Sequence, residues 1–239
     1  HFGWRIAYLM IALFGFLTFV GVWRFIPADA PNRTNSPLRE VTALCNAQVL
    51  LTLLSAAIGF GGMFAIYTYL TSVLQNVTHV PEWQIMLYMV IWGMGMLAGA
   101  NFGAWLVDRN INLAVMFALG GSALALLAFA GVLHNSIGLM LDVFMIPACV
   151  NALGPALQTR LMDFAGDAQT LAASLNHSAF NIANALGASL GSVLLGQQFG
   201  YGALGVGGAL LSIDGLLVYL LALFLLKKSG MTEERLPIT

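Results

Sequence analysis

Few side chains in this chain can do chemistry, because most of it is apolar, and the polar ones that interrupt the apolar runs cluster. Ser174, His177, Asn181 and Asn184 lie in "SLNHSAFNIANALGASLG" at steps of three and four residues. Projected at 100° per residue, they share with Ser178 one helical stripe of about 120°. Amides and hydroxyls in hydrocarbon must meet water or a partner, so the stripe reads as the wall of a polar cavity or as a contact with a neighbouring helix. Such neutral groups can hold a small solute through hydrogen bonds, and Asn151 adds another amide in the preceding run. Of the four, His177 alone has an ionisable side chain, although a lone histidine is more often a packing residue than a proton carrier. Two carboxylates, Asp142 and Asp214, also interrupt apolar runs, the second near the middle of "LLSIDGLLVY". Each costs about 2.5–3.5 kcal/mol at a bilayer centre on insertion scales, which makes both candidates for proton coupling or solute binding, with a hydrogen bond to a neighbouring helix as the alternative. No Lys or Arg lies at mid-span to pair with them. Phe64 and Tyr67 offer ring faces to a solute, or serve as interfacial anchors.

The elements that must position these residues are membrane helices. Of 239 residues, 59% are hydrophobic and 8% charged, against roughly 25% charged in an average soluble domain. Apolar runs occupy 4–24, 46–74, 82–107, 112–133, 136–161, 170–198 and 203–226. Each is long enough, at ~1.5 Å per residue, to cross a ~30 Å hydrocarbon core. The fold class is therefore all-α: a polytopic membrane protein of seven helices whose surroundings are the lipid bilayer. A net charge of −1 and the lack of a basic stripe argue against a nucleic-acid partner. No HExxH, GxSxG or clustered His/Asp/Glu set appears at the membrane faces, so no enzyme and no metal site is expected. Cys45 and Cys149 read as small buried residues.

Between the first and second runs, residues 25–45 are polar, and Pro27, Pro31 and Pro37 prevent continuous helix. This segment reads as a linker, with Ser36 and Pro37 resembling the start of a new helix. The expected organisation is a first helix at 1–24, the linker, a six-helix bundle at 46–227 and a tail at 228–239. Lys and Arg are retained on the cytoplasmic side of short loops. Arg24, Arg33, Arg39, Arg109, Arg160, Lys227, Lys228 and Arg235 fall on one side and only Arg5 on the other, which predicts an outside N-terminus and a cytoplasmic C-terminus. An exported N-terminus that begins with His1 and no signal peptide suggests a fragment of a longer protein. Gly95, Gly99 and Gly103, and Gly187 with Gly191, mark close helix approach. "GFGG" at 59–62, and Pro147 and Pro155 around Gly154, mark bends.

With these residues located, the chain resembles the second half of a major facilitator superfamily transporter, in the drug:proton antiporter and sugar-efflux branch. "GWR" at 3–5 resembles the start of that branch's sixth helix, followed by "NAQVLLTLL" at 46–54 and "YTYLTSVL" at 67–74. "GMGMLAGANFGAWLVDR" at 93–109 is similar to the eighth helix and its loop motif, with Ala104 in place of glycine and Trp105 in place of arginine, while Asp108 and Arg109 remain. The most specific stretch is "ALQTRLMDFAGDAQTLAASLNHSAFNIANALGASLG" at 156–191. The resemblance implies a C-terminal six-helix bundle of two inverted three-helix repeats, an absent N-terminal six-helix half, and a mid-membrane cavity between the halves. It further implies efflux of a small organic solute in exchange for protons, in the inner or plasma membrane, with no cofactor beyond the proton as coupling ion. Ser174, His177, Asn181, Asn184 and Asn151 would then bind solute with Phe64 and Tyr67. Asp142 or Asp214 would couple protons, and Asp108 and Arg109 would stabilise one conformation. A seven-helix receptor fits the topology, but no mid-span lysine, DRY-like triplet or NPxxY supports it. A non-transporting structural or interaction role for a truncated chain is the other alternative.

Overall fold

The computed structural model describes residues 4–25 and 46–228, and the chain divides into two compact units, His1–Ser36 and Pro37–Thr239. The expected linker, the Ser36–Pro37 helix start, Cys45 and the C-terminal tail lie outside the described residues. Helix α1 (Trp4–Phe25) belongs to the first unit and ends with Arg24 in its last turn. The second unit contains α2 (Ala47–Gly59), α3 (Gly61–Tyr67), α4 (Leu70–Asn76), α5 (Glu82–Val107), α6 (Ile111–Val132), α7 (Ser136–Asn151), α8 (Leu153–Ala165), α9 (Gln169–Gly196) and α10 (Gly202–Lys228). Among the described residues there is no strand, and seven helical segments are long and apolar enough to cross a membrane. They coincide with the seven apolar runs. The fifth runs on to Ala165 rather than ending at 161.

Local chemistry explains the helix ends and breaks. Asn46, Asn110 and Asn135 each accept backbone N–H bonds at the start of α2, α6 and α7, the usual remedy for unpaired donors in a first turn. α2, α3 and α4 form one span bent at Phe60 and again at Thr68–Tyr69. The Phe60 N–H still reaches the Ala56 carbonyl at 3.2 Å, so the helix bends there without coming apart. α7 and α8 form another span, interrupted at Ala152. Pro155 has no N–H for the Asn151 carbonyl four residues back, which accounts for the break there.

The six-span unit is assembled through small residues. α10 packs on α6, α2 and α3; α5 packs on α7 and α8; α9 packs on α3 and α2. A Cβ at Gly95 or Gly99 would meet the carbonyl oxygen of Phe144 or Ala148, and one at Gly103 the backbone of Ala152. A Cβ at Gly208 would lie 2.8 Å from the Gly62 carbonyl oxygen, and one at Gly215 2.7 Å from the Gly59 Cα. Gly187 and Gly191 approach α3 at Gly61 and Ala65 and the Tyr69 ring just beyond it. The Tyr69 hydroxyl donates to the Ala188 carbonyl at 3.0 Å and fastens the same crossing.

At the end of the unit where α6 begins and α10 finishes, a buried polar group joins four spans. Arg160 on α8 is only 1% exposed, although its place in the sequence reads as that of a loop cation. Its Nη2 donates to Gln48 Oε1 at 3.1 Å and its Nη1 to Tyr219 Oη at 3.4 Å. Gln48 Nε2 donates to the Ala222 carbonyl at 2.9 Å, and the Tyr219 hydroxyl donates to Asn112 Oδ1. The guanidinium also lies 5.0 Å from the Phe164 ring centroid and the same distance from that of Tyr219.

Two stability predictions follow from this packing. Gly99→Leu forces a side chain into the Ala148 backbone and is expected to lower stability by about 1–3 kcal/mol or more, while Gly93→Leu, with nothing within 4 Å, leaves it unchanged. Gln48→Leu removes the Arg160 acceptor and is expected to cost about 1.5–3 kcal/mol. Thermal unfolding of the purified variants in one detergent, followed by circular dichroism, checks both.

A candidate solute-binding face

Met63, Phe64 and Tyr67 lie three, four and seven residues after Phe60 where α2 passes into α3, so the four share one helical face. α9 borders that face on one side. Phe180 lies against Phe60 with ring centroids 4.2 Å apart, and His177 meets Phe180 edge-on at 6.2 Å. Other contacts come from α5 and α7: Trp92 lies under Tyr67 at 5.2 Å, and Asn151 Nδ2 donates to the Pro147 carbonyl at 3.0 Å while reaching Met63 Sδ at 3.7 Å. Tyr67 is 46% exposed over a Trp92 that is 3% exposed. Each accessible ring thus rests on a buried one, Tyr67 on Trp92 and Phe180 on Phe60.

The polar stripe of α9 faces away from the helices it packs on. Asn176, Ala179, Ala183, Gly187 and Gly191 are buried, whereas Ser174, His177, Ser178, Asn181 and Asn184 are exposed. His177 and Asn184 flank the contact with α3, on the side of Phe180. On the other flank an apolar cleft of about 270 Å³ opens between α2 and α9, lined by Leu50, Leu54, Ala57, Leu175 and Ile182 among others. The structure therefore brings Phe64, Tyr67, Asn151 and His177 to one side of the unit, with Asn184 and Asn181 beside them.

The other expected site residues lie elsewhere. Asp142 is buried, and its Oδ2 has no hydrogen-bond partner among the described residues. It shares a face of α7 with Cys149, whose sulfur packs at Gly121 of α6, whereas Asn151 projects from the opposite side of the helix. Asp214 is exposed midway along α10, among Leu210, Ile213 and Leu217, which are exposed too. Asp108 is the C-cap residue of α5. The Arg109 guanidinium sits 4.0 Å from the centroid of the Trp105 ring, which stacks on Phe102. Of the two residues that depart from the loop motif, Trp105 is the one that holds the arginine.

Sequence reasoning missed Phe60, Met63, Trp92 and Phe180. Phe180 carries a usable signal, three residues after His177 and one turn from Asn184. Trp92 carries a weaker one, three residues before Gly95 and seven before Gly99 on the glycine face of α5.

Comparison with known proteins gives these residues a context. The family profile of the Major Facilitator Superfamily matches residues 1–170. The chain is 32% identical, over 88% of its own length and 54% of the relative's, to the inner membrane transport protein YdhP of Escherichia coli strain K12. It is 31% identical to a chloramphenicol resistance protein of Streptomyces lividans, over 91% of the chain and 57% of the relative. To a probable sugar efflux transporter of Pasteurella multocida it is 24% identical, over 92% and 54%. The chain thus spans about half the length of the curated relatives it matches. No solved structure matches it.

The placement of the α9 stripe can be checked by accessibility. In a Cys45→Ser, Cys149→Ser background, Asn184→Cys is expected to react with a sulfonated, membrane-impermeant maleimide at least ten times faster than Asp214→Cys, whose neighbours on α10 are leucines. Equal, slow labelling of both would place the stripe in lipid.

Proposed function

The chain belongs to the Major Facilitator Superfamily, and from that premise we propose that it supplies the C-terminal bundle of a secondary active efflux transporter. In this reading a small organic solute, sugar-like or drug-like, is exchanged for protons by alternating access. The observation that carries it is the face just described: amides, a histidine and backed aromatic rings left open along α3, α7 and α9 in a unit whose other surfaces are mostly apolar. Polar side chains at membrane depth need water, solute or protein opposite them. The opposite wall comes from the part of the relatives' length that lies outside this chain. One relative is named for chloramphenicol resistance and another for sugar efflux, which supports a neutral or drug-like cargo.

Asn151, Ser174, His177, Asn181 and Asn184 serve as hydrogen-bonding groups, and Phe64 and Tyr67 as ring contacts. Asp142 is the coupling residue of this half, supported by its burial at membrane depth and by the Oδ2 without a hydrogen-bond partner. A carboxylate in hydrocarbon is costly unless it is paired or protonated, so its proton occupancy can differ between two conformations that hydrate it differently. Asp214, on the exposed side of α10, is the weaker candidate. Arg109, Lys227 and Lys228 stand at the end assigned to the cytoplasm by the cation count, and Arg109 with Asp108 steadies the α5–α6 turn there.

The test is transport of radiolabelled chloramphenicol and L-arabinose into inside-out vesicles that carry the complete gene product, under an imposed proton gradient. Gradient-driven uptake of at least one solute is expected, and Asp142→Asn is expected to reduce it at least tenfold while solute binding persists. Uptake unchanged after the gradient is collapsed would remove the coupling.

A further inference from the structure

We propose that the corner where α5 turns into α6 holds an anionic phospholipid, with its phosphate on the Arg109 guanidinium and its acyl chains along the rings of Phe102, Trp105 and Phe117. The proposal depends on the membrane placement of the spans and not on the solute reading. Arg109 is exposed and follows the C-cap residue of α5 by one position, so it stands at the end of a span, at the level of the headgroups. Its guanidinium lies 4.0 Å from the centroid of the Trp105 ring, which is one turn further into the bilayer. Stacking occupies the face of a guanidinium and leaves its N–H donors pointing outward in the plane. Among the described residues no carboxylate pairs with Arg109, and Asp108 projects about 100° away round the helix. A planar fork of open donors matches the oxygens of a phosphate diester in a paired contact.

The rings below the cation complete the likeness to a lipid. Phe102 stacks on Trp105 with centroids 5.5 Å apart and meets Phe117 of α6 edge-on at 5.1 Å, so the three form one wall across two helices. Phe102, Trp105 and Phe117 are 41%, 47% and 41% exposed, open enough to lie along an acyl chain. Trp105 is about 140° round α5 from Trp92, which turns this wall away from the candidate solute face. Because Trp105 fixes the guanidinium before a lipid arrives, little side-chain freedom is lost on binding. Charge selects the class of lipid. α10 is tied to α6 through Tyr219 and Asn112, and about two turns later it ends with Lys227 and Lys228. A zwitterionic headgroup brings its own cation toward these residues and phosphatidylglycerol brings none, so the anionic lipid is favoured. At the opposite end, where Trp83 is exposed in the first turn of α5, the described residues of the six-span unit include no Lys or Arg.

The experiment places the full chain in lipid nanodiscs with Trp4, Trp23 and Trp83 replaced by Phe, and isolates Trp105 emission by subtracting that of the same protein carrying Trp105→Phe. Phosphatidylglycerol and phosphatidylcholine, each with brominated acyl chains that quench tryptophan on contact, are titrated separately into an unbrominated phosphatidylcholine bilayer. At Trp105 the phosphatidylglycerol is expected to associate at least about five times more strongly than the phosphatidylcholine. With Trp83 kept as the reporter in place of Trp105, the ratio is expected to stay below about two. Arg109→Gln should bring the Trp105 ratio close to that of Trp83. Arg109→Lys, which keeps the charge but loses the planar fork, should at least halve it. Lys227→Gln with Lys228→Gln should lower it about twofold, and each variant should keep its melting temperature in phosphatidylcholine. Equal quenching of Trp105 by the two lipids, or a ratio as high at Trp83, overturns the site. A ratio that survives in full in Arg109→Gln or in Arg109→Lys overturns the guanidinium–phosphate contact.

Discussion

A leucine gains little by leaving lipid for the side of another leucine, so helices in a bilayer are held by what hydrocarbon does not offer: close backbone contact and internal hydrogen bonds. The six-span unit depends on the first of these. Gly59 against Gly215, Gly62 against Gly208, and Gly187 against Gly61 seat α10 and α9 on α2 and α3, and Gly95, Gly99 and Gly103 seat α5 on α7 and α8. Side chains at these positions would separate the helices and with them the rings of Phe60, Phe180, Tyr67 and Trp92. Trp92 lies seven residues before Gly99 and Phe180 seven before Gly187, so these rings share the faces by which α5 and α9 approach their neighbours, and the ring stacking is a consequence of glycine placement there.

The Arg160 group is the second kind of contact. A guanidinium inside a helical bundle needs partners for its donors, and here Tyr219 and Gln48 accept from its two Nη groups while two aromatic faces lie beside it. Its partners come from both ends of the unit's sequence, Gln48 and Asn112 from the first three spans, Arg160 and Tyr219 from the last three. A bundle fastened in this way resists internal shear. That rigidity is a mechanical requirement for any unit that moves as one body in alternating access.

Polarity within the spans is divided by function of place. Ser55 and Ser212 donate to the carbonyls of Gly215 and Gly59 at a helix crossing. Asn176 donates to Gln158 at 2.8 Å and ties α9 to α8. The neighbouring Ser174, His177, Asn181 and Asn184 are on the exposed side of the same helix. One 28-residue helix therefore carries a structural amide and an open polar stripe, separated only by rotation about its axis.

Sequence alone determined the class of protein and the course of its spans, because hydrocarbon imposes one length and one composition on every crossing helix, and that constraint is legible residue by residue. It also marked Gly95, Gly99, Gly103, Gly187 and Gly191 as points of close approach and the α9 residues that form a stripe, since both follow from a period of 3.6, but it read Gly59–Gly62 as a bend and did not single out Gly208 or Gly215. It could not say that Asn176 turns inward while Asn181 turns outward, that Arg160 is buried, or that Trp92 lies beneath Tyr67. Those facts depend on which neighbour each helix face meets, and a glycine repeat such as that of α5 marks a contact face without naming the helix that packs on it. Only the tertiary structure, by choosing the crossings, decided which polar groups became fasteners and which were left on the open side of their helix.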